Sequence, residues 1–394
     1  MRILFTGGGT GGHFYPIISI AEQINSIAKE KKLLELELFY MSPTPYNPGL
    51  LFEHGIIYKK NNAGKIRLSD STKNIFLNLF ILNKISKLTK NFLDLFVTAW
   101  GVIVSIKEIY RIYPDVVFGK GGYASFPALL AARILRIPVV IHESDTVPGK
   151  VNMWAGRFAQ KIAVSYKEVA SYFPNGKTAY TGQPVRKEIT EPIVNGAREF
   201  LNLEEDVPVI LILGGSQGSQ KINDAFLGCI EKLVEKYEII HQTGSANFNE
   251  VKSTAEAILY NSPNKNRYKP FDYLNPLAMR MSAGVADIVI SRAGSAIFEI
   301  ASWRVASIII PITTSNGDHQ RKNAFAYARA GCCEVIEEYN LTPNILSSEI
   351  DRILSNENTR QKMINATKLF YKPDASRLIA EEILKIALEH EVEK

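Results

Sequence analysis

Three cysteines in 394 residues, Cys229, Cys332 and Cys333, are too few and too unevenly spaced for a metal cage or a disulfide framework. Their scarcity suits a reducing compartment, and the adjacent Cys332 and Cys333 read as small buried filler. Charge of one sign is missing as a block. The formal net charge of +6 is spread along the chain, which excludes a basic nucleic-acid tail. Long hydrophobic runs are absent too: the longest nearly uncharged stretch, Leu95 to Ile106, is bounded by Asp94 and Lys107. It falls short of the roughly 18 residues that a spanning helix needs. No secretory leader is expected, because Arg2 leads directly into a strand-like run and a glycine loop. These absences point to a soluble or peripheral protein, whose modest positive charge favours anionic ligands or an anionic membrane face.

What the chain does have is hydrophobic content for two cores, 46% of its residues, and glycine at the ends of strand-like runs. Apolar runs alternate with helical stretches: Arg2 to Phe5, Leu36 to Tyr40, Val116 to Phe118, Val139 to His142 and Lys161 to Val164. After the polar stretch Glu191 to Asp206 the pattern restarts at Val207 to Leu213. It continues through Glu238 to His241, Ile288 to Ser291, Ser307 to Pro311 and Glu334 to Ile336. That alternation predicts α/β architecture: two Rossmann-like doubly wound domains facing a shared cleft, 1–190 and 191–373. The segment Ser376 to Leu388 predicts an amphipathic helix with Leu378, Ile379, Ile383, Ile386 and Ala387 toward a core.

The first apolar run ends in Gly7-Gly8-Gly9-Thr10-Gly11-Gly12-His13, and a helix is expected from Pro16 onward. Glycines allow a sharp turn and close approach of a ligand, and a helix N-terminus favours negative charge. Gly7, Gly9 and Gly12 also fit a dinucleotide fingerprint, but the second strand ends in Met41-Ser42 with no carboxylate to hold a ribose. A second glycine loop, Gly214-Gly215-Ser216-Gln217-Gly218, echoes the first.

Four more polar segments close strands: Gly119-Lys120-Gly121-Gly122-Tyr123, His142-Glu143-Ser144-Asp145, Ser291-Arg292-Ala293-Gly294-Ser295 with Glu299, and Gly317-Asp318-His319-Gln320 with Asn323. Asp145 is a candidate base or sugar ligand that Glu143 orients, and Glu299 lies where a ribose diol would meet a helix N-terminus. Helix capping and ordinary surface polarity account for the same residues individually.

In order and spacing, these segments together with Gly182-Gln183-Pro184-Val185-Arg186 and Pro373-Asp374-Ala375 resemble the MurG family over nearly the whole chain. Its members add N-acetylglucosamine to the undecaprenyl-diphospho-muramoyl-pentapeptide precursor of peptidoglycan. The resemblance implies a GT-B glycosyltransferase with the acceptor on the N-terminal domain and UDP-N-acetylglucosamine mainly on the C-terminal one. The C-terminal helix 374–394 is expected to pack back on the first domain. Arg186 and Ser216 would hold the diphosphate, Glu299 the ribose, and Gln320 and Asn323 the donor sugar. Asp272, Gly294, Ser295 and Ala296 would meet uracil, with Thr10, Gly11, Gly12 and Asp145 also touching the donor. Gly9, His13, Gly122 and Tyr123 would bind the acceptor. Because the linkage inverts, a base is needed; His13 is the first candidate and Asp145 the second, with a structural role for His13 the alternative.

Two departures from the family pattern stand out. Many members read His-Glu-Gln-Asn where this chain has His142 to Asp145, and the stretch from Arg292 to Glu299 is one residue shorter than in many, leaving uracil contacts open among Ser295, Ala296 and Ile297. No Asp-x-Asp motif appears, so neither a metal nor another cofactor is expected. A lipid acceptor implies a membrane-facing patch, assigned to Ile75, Phe76, Leu79 and Phe80 with Lys65 and Arg67; a core-facing helix pair is the alternative. The expected place is the cytoplasmic face of the membrane, and cell-wall synthesis and division proteins are candidate partners; no nucleic-acid partner is expected. Competing readings are a GT-B relative with another lipid acceptor, a non-hydrolysing UDP-sugar epimerase, and a nucleotide-sugar-binding subunit without catalysis. An intact His13, Arg186 and Glu299 argue against the last.

Overall fold

A computed structural model describes residues 1–33, 35–64, 77–215 and 218–392, with the side chains of 77–93, 316 and 391–392 left out of the description. The chain divides into two compact units, Met1–Pro184 with Asp374–Lys394, and Val185–Pro373. The boundary falls before Arg186 because Ile189 is buried in the second unit's core and its carbonyl accepts the Trp303 indole N–H at 2.8 Å. The sequence reading places residues up to 190 in the first domain.

The first unit holds seven strands: β1 (Arg2–Thr6), β2 (Glu37–Ser42), β3 (Ile56–Lys60), β4 (Val116–Gly119), β5 (Val139–Glu143), β6 (Lys161–Val164) and β7 (Thr178–Tyr180). They form one sheet in the order β3-β2-β1-β4-β5-β6-β7, every pair parallel. The second unit holds β8 (Val209–Leu213), β9 (Glu238–Gln242), β10 (Tyr268–Phe271), β11 (Ile288–Ser291), β12 (Ala306–Ile309) and β13 (Cys333–Val335), ordered β10-β9-β8-β11-β12-β13 and again wholly parallel. Helices cover both faces, so central strands are apolar without alternation; β8 is buried at all five positions.

Strand order reverses between β1 and β4 in one unit and between β8 and β11 in the other. Neighbouring loops part at such a switch point and leave a crevice beyond the carboxyl ends of the strands. The loops there are Gly7–Gly12 and Lys120–Tyr123 in the first unit, and Gly214–Gly218 and Arg292–Ser295 in the second.

Three strands have no counterpart in the sequence reading, β3, β7 and β10, and each lies at a sheet edge. An edge strand is half solvated and needs no apolar run. β10 even carries Pro270, which cannot donate to a ladder. The first helix also differs from expectation. It spans Gly11–Glu30 and begins before Pro16, with Thr10 in extended backbone as its N-cap, so His13 belongs to the first turn. The C-terminal helix Ala375–Val392 packs on this one: Ser19 Oγ lies 2.7 Å from Ser376 Oγ, and Arg377 pairs with Glu30 at 3.0 Å. Ile379, Ile383, Ile386 and Ala387 are buried as patterned, whereas Leu378 is half exposed.

Candidate functional site

In the first unit the glycine loop is shaped by what presses on it. The buried Tyr40 hydroxyl donates to the Gly7 carbonyl at 2.9 Å, and Gly9 takes φ +90°, a conformation side chains rarely adopt. A Cβ on Gly11 would stand 2.9 Å from the Tyr15 ring and the Tyr46 hydroxyl. Thr10 leaves its cap role to the backbone and places Oγ1 3.1 Å from His13 Nδ1. Gly122 (φ +77°) faces the same ring, since a Cβ there would lie 3.4 Å from His13 Cε1 and 3.5 Å from Nε2. The Tyr123 ring stands 3.6 Å from where Gly9 would carry a Cβ. Gly9, His13, Gly122 and Tyr123, drawn from segments over a hundred residues apart, thus meet in one place.

The loop after β5 is built on Glu143. Its Oε1 accepts the Asp145 amide at 3.1 Å, and Oε2 accepts the Gly149 amide and the Asn152 side chain, each at 2.9 Å. Burial raises the Glu143 carboxyl, reinforced by the Asp145 charge, while those three donors oppose the rise. Glu143 therefore orients the loop that presents the half-buried Asp145. His142 is fully buried, with Nε2 3.2 Å from the Gly182 carbonyl. A carbonyl only accepts, so Nε2 carries the proton; burial and the Lys120 charge lower the imidazole and keep it neutral.

In the second unit the Gly214–Gly218 loop precedes helix Gln220–Leu227, whose N-cap Ser219 accepts the Ile222 amide. Gly215 (φ +85°) and Gly218 (φ +76°) supply the turn, and Gly218 packs so close to the Thr243 carbonyl that a Cβ would be 2.2 Å away. Ser216, like Lys65, Arg67, Ile75 and Phe76, lies outside the described residues, as do the side chains of Leu79 and Phe80. Glu299 sits in the first turn of helix Ala296–Trp303, and its carboxylate makes no hydrogen bond among the described residues. Burial raises this carboxyl and the nearby Arg186 charge pulls it back, so the two residues share one locale. Arg186 also contacts Glu188 at 3.3 Å. Gly294 faces open space, with nothing within 4 Å of a Cβ position, and Ser295 stands at the helix N-cap.

Gln320 uses Oε1 to accept the Ile312 amide at 3.1 Å. Asn323 is 2% exposed and donates to the Ala293 carbonyl at 3.3 Å, supporting the Ala293–Ala296 turn from below. Asp272 is exposed and accepts the Tyr273 amide at 2.7 Å; the neighbouring Phe271 carbonyl is taken by the amide and hydroxyl of Thr243.

Sequence reasoning missed the Arg292 network. Arg292 Nη2 donates to Ser219 Oγ and to Glu338 Oε1, both at 2.6 Å, and Nη1 to the Ile310 carbonyl at 3.1 Å. Lys221 and Thr313 complete the shell of Glu338 at 3.2 and 2.9 Å. Burial works against the Glu338 charge, yet Thr313, Arg292 and Lys221 hold its carboxyl down at about 2. Arg292 belongs to the Ser291–Ser295 motif, whereas nothing in sequence marks Glu338.

Comparisons with known proteins cover both units. Residues 54–164 match the glycosyltransferase family 28 N-terminal domain, and residues 209–379 match the glycosyltransferase family 28 C-terminal domain. A curated protein of Thermodesulfovibrio yellowstonii is 34% identical over 391 residues, covering 97% of each chain. It is named UDP-N-acetylglucosamine–N-acetylmuramyl-(pentapeptide) pyrophosphoryl-undecaprenol N-acetylglucosamine transferase. A Bacillus cereus protein of the same name, numbered 2, is 32% identical over 386 residues, 97% of this chain and 99% of that one. Among solved structures, MurG of Acinetobacter baumannii matches with TM-score 0.69 and 22% identity over 98% and 99% of the two chains. A UDP-GlcNAc 2-epimerase of Neisseria meningitidis bound to UDP-GlcNAc matches with TM-score 0.61 and 17% identity over 98% and 100%, a likeness of fold alone.

Proposed function

We propose that this chain, which belongs to the MurG family of glycosyltransferases, moves N-acetylglucosamine from UDP-N-acetylglucosamine to the C4 hydroxyl of undecaprenyl-diphospho-N-acetylmuramoyl-pentapeptide. The reaction inverts the donor linkage in a single displacement. The observation that carries this reading is the meeting of His13 with Gly122 and Tyr123 beside the glycine loop of the first unit. In this reading His13 is the base and the neighbouring glycines and Tyr123 bind the acceptor. With Thr10 Oγ1 accepting from Nδ1–H, the His13 Nε2 lone pair takes the acceptor proton as the new glycosidic bond forms. Asp145 binds a sugar hydroxyl on a loop that Glu143 holds.

The donor lies on the second unit. Glu299 accepts both ribose hydroxyls, and Arg186, the loop amides of Gly214–Gly218 and Ser216 carry the charge that builds on departing UDP. Gly294, Ser295 and Ala296 meet uracil, Gln320 reads the sugar, and Asn323 serves by fixing the Ala293 turn. The epimerase reading has only the shared fold behind it.

Among the described residues no helix is long and apolar enough to cross a membrane. Helix Leu77–Ile112 nevertheless exposes Leu95, Phe96, Trp100 and Ile103 within one arc of its surface. In this reading the exposed apolar face meets the cytoplasmic leaflet, and the protein binds the membrane peripherally.

Purified protein is mixed with labelled UDP-N-acetylglucosamine and the lipid-linked muramoyl-pentapeptide in mixed micelles. Label is expected in the lipid fraction with equimolar UDP release. Label that stays water-soluble, or a free UDP-sugar converted to its epimer, overturns the assignment.

A further inference from the structure

Lys120 follows β4 directly and is 1% exposed, one of the largest fully buried side chains of the protein. Removing an ammonium group from water costs several kcal/mol unless charges and hydrogen bonds replace its hydration. The replacements form a chain. Lys120 Nζ donates to Ser144 Oγ, Ser144 Oγ donates to Gln183 Oε1 at 2.9 Å, and Ser165 Oγ donates to the same oxygen at 2.8 Å. Ser165 Oγ in turn lies 3.2 Å from His142 Nε2. Lys120, Ser144 and Ser165 are the first residues after β4, β5 and β6, and Gln183 comes three after β7. The bonds therefore link the carboxyl ends of four neighbouring strands, passing from β4 to β5, on to the segment after β7 and back to β6.

The charged and titratable groups facing Lys120 are Glu143, Asp145 and the neutral His142. Burial lowers the ammonium to about 8, and the two carboxylates oppose that fall. Glu143 holds the backbone of the loop from one side, and the ammonium holds Ser144 from the other. Packing alone does not call for a cation here, and the transfer chemistry as derived above does not use one.

We propose that Lys120 is a positioning residue of the transfer reaction: its ammonium locks the Ser144–Gln183–Ser165 chain and so fixes Asp145 toward the sugar substrate. The proposal rests on the reading of the chain as a transferase with Asp145 in its site.

Three full-length variants test it: Lys120→Met, Lys120→Arg, and Ser144→Ala, which keeps the ammonium and cuts its first link. Two measurements are made, kcat and KM for UDP-N-acetylglucosamine from about pH 6.5 to about pH 9.5, and amide hydrogen exchange over residues 143–153. At neutral pH Lys120→Met is expected to lower kcat about 30-fold with KM within about threefold, and Ser144→Ala to lower kcat about tenfold. Wild-type kcat should fall above about pH 8 as the ammonium is lost. That decline should be absent in Lys120→Arg, whose guanidinium stays charged. Exchange over 143–153 should quicken in Lys120→Met and Ser144→Ala. Wild-type kcat in Lys120→Met, an alkaline limb unmoved in a folded Lys120→Arg, or unchanged exchange overturns the proposal. Should both lysine variants fail to fold, kcat and exchange of Ser144→Ala decide it. A wild-type chain that transfers nothing to lipid overturns the transferase reading, while quickened exchange still upholds the hold on the loop.

Discussion

Arg292 Nη2 stands 2.6 Å from Glu338 Oε1, and through this one pair three loops of the second unit are tied together. The same Nη2 reaches Ser219 at the end of the glycine loop, and Glu338 reaches Thr313 ahead of Gln320. Both partners are nearly buried, so neither charge has water to fall back on.

Glu338→Gln should therefore destabilise the protein by about 3 kcal/mol near neutral pH, because it leaves the Arg292 charge buried and unpaired. The folded carboxyl lies at about 2, below its ordinary 4.5. Its stabilisation is thus full above about pH 4.5 and is lost as pH falls toward about 2. Melting temperatures of the two proteins should differ by several degrees at neutral pH and converge on acidification. A gap that widens in acid contradicts the pairing.

Glu299→Ala should weaken UDP binding about tenfold or more, measured by calorimetry, since a half-buried carboxylate accepting two hydroxyls is lost. Because burial raises this carboxyl, UDP affinity should also decline on acidification earlier than an ordinary carboxylate would dictate. Unchanged affinity removes the ribose role.

His13→Ala should lower kcat by about 10² to 10³ while leaving the KM for UDP-N-acetylglucosamine near its original value. Thr10→Val should lower kcat about tenfold, because it deletes the group that selects the ring tautomer. Steady-state kinetics with lipid acceptor separate the two; equal KM and kcat in all three proteins would assign His13 a structural role.

The double change Phe96→Ser with Trp100→Ser should reduce co-sedimentation with anionic vesicles while transfer to a short-chain, water-soluble acceptor persists. Undiminished sedimentation means that this helix face does not meet the bilayer.

The three thiols are buried, and burial pushes Cys229 and Cys332 up to about 12 and raises Cys333 well above the ordinary thiol value. A thiol-specific disulfide reagent at mild alkaline pH should label none of them in the native protein, and all three in guanidinium. Rapid native labelling contradicts the burial.

Much of the backbone framework around the candidate site was legible in the sequence. Glycine is needed at φ values other residues avoid, so Gly9, Gly122, Gly215 and Gly218 announce their turns in one dimension. Central strands such as β8 are apolar throughout because both sheet faces are covered, and the pattern shows it. Edge strands β3, β7 and β10 were illegible for the converse reason, since half-solvated backbone imposes no run.

Local composition and spacing determined the two α/β halves, the strand-end glycine loops and the candidates His13, Asp145 and Glu299, because backbone geometry and helix dipoles act over a few residues. Only tertiary packing decided that His13 would rest against Gly122, and that Asn323 would support a turn rather than lie open. It also decided that Lys120 would be buried at the head of a four-strand polar chain, and that Glu338 would anchor Arg292. Such relations join residues tens of positions apart, and their energies exist only once burial has stripped water from both partners.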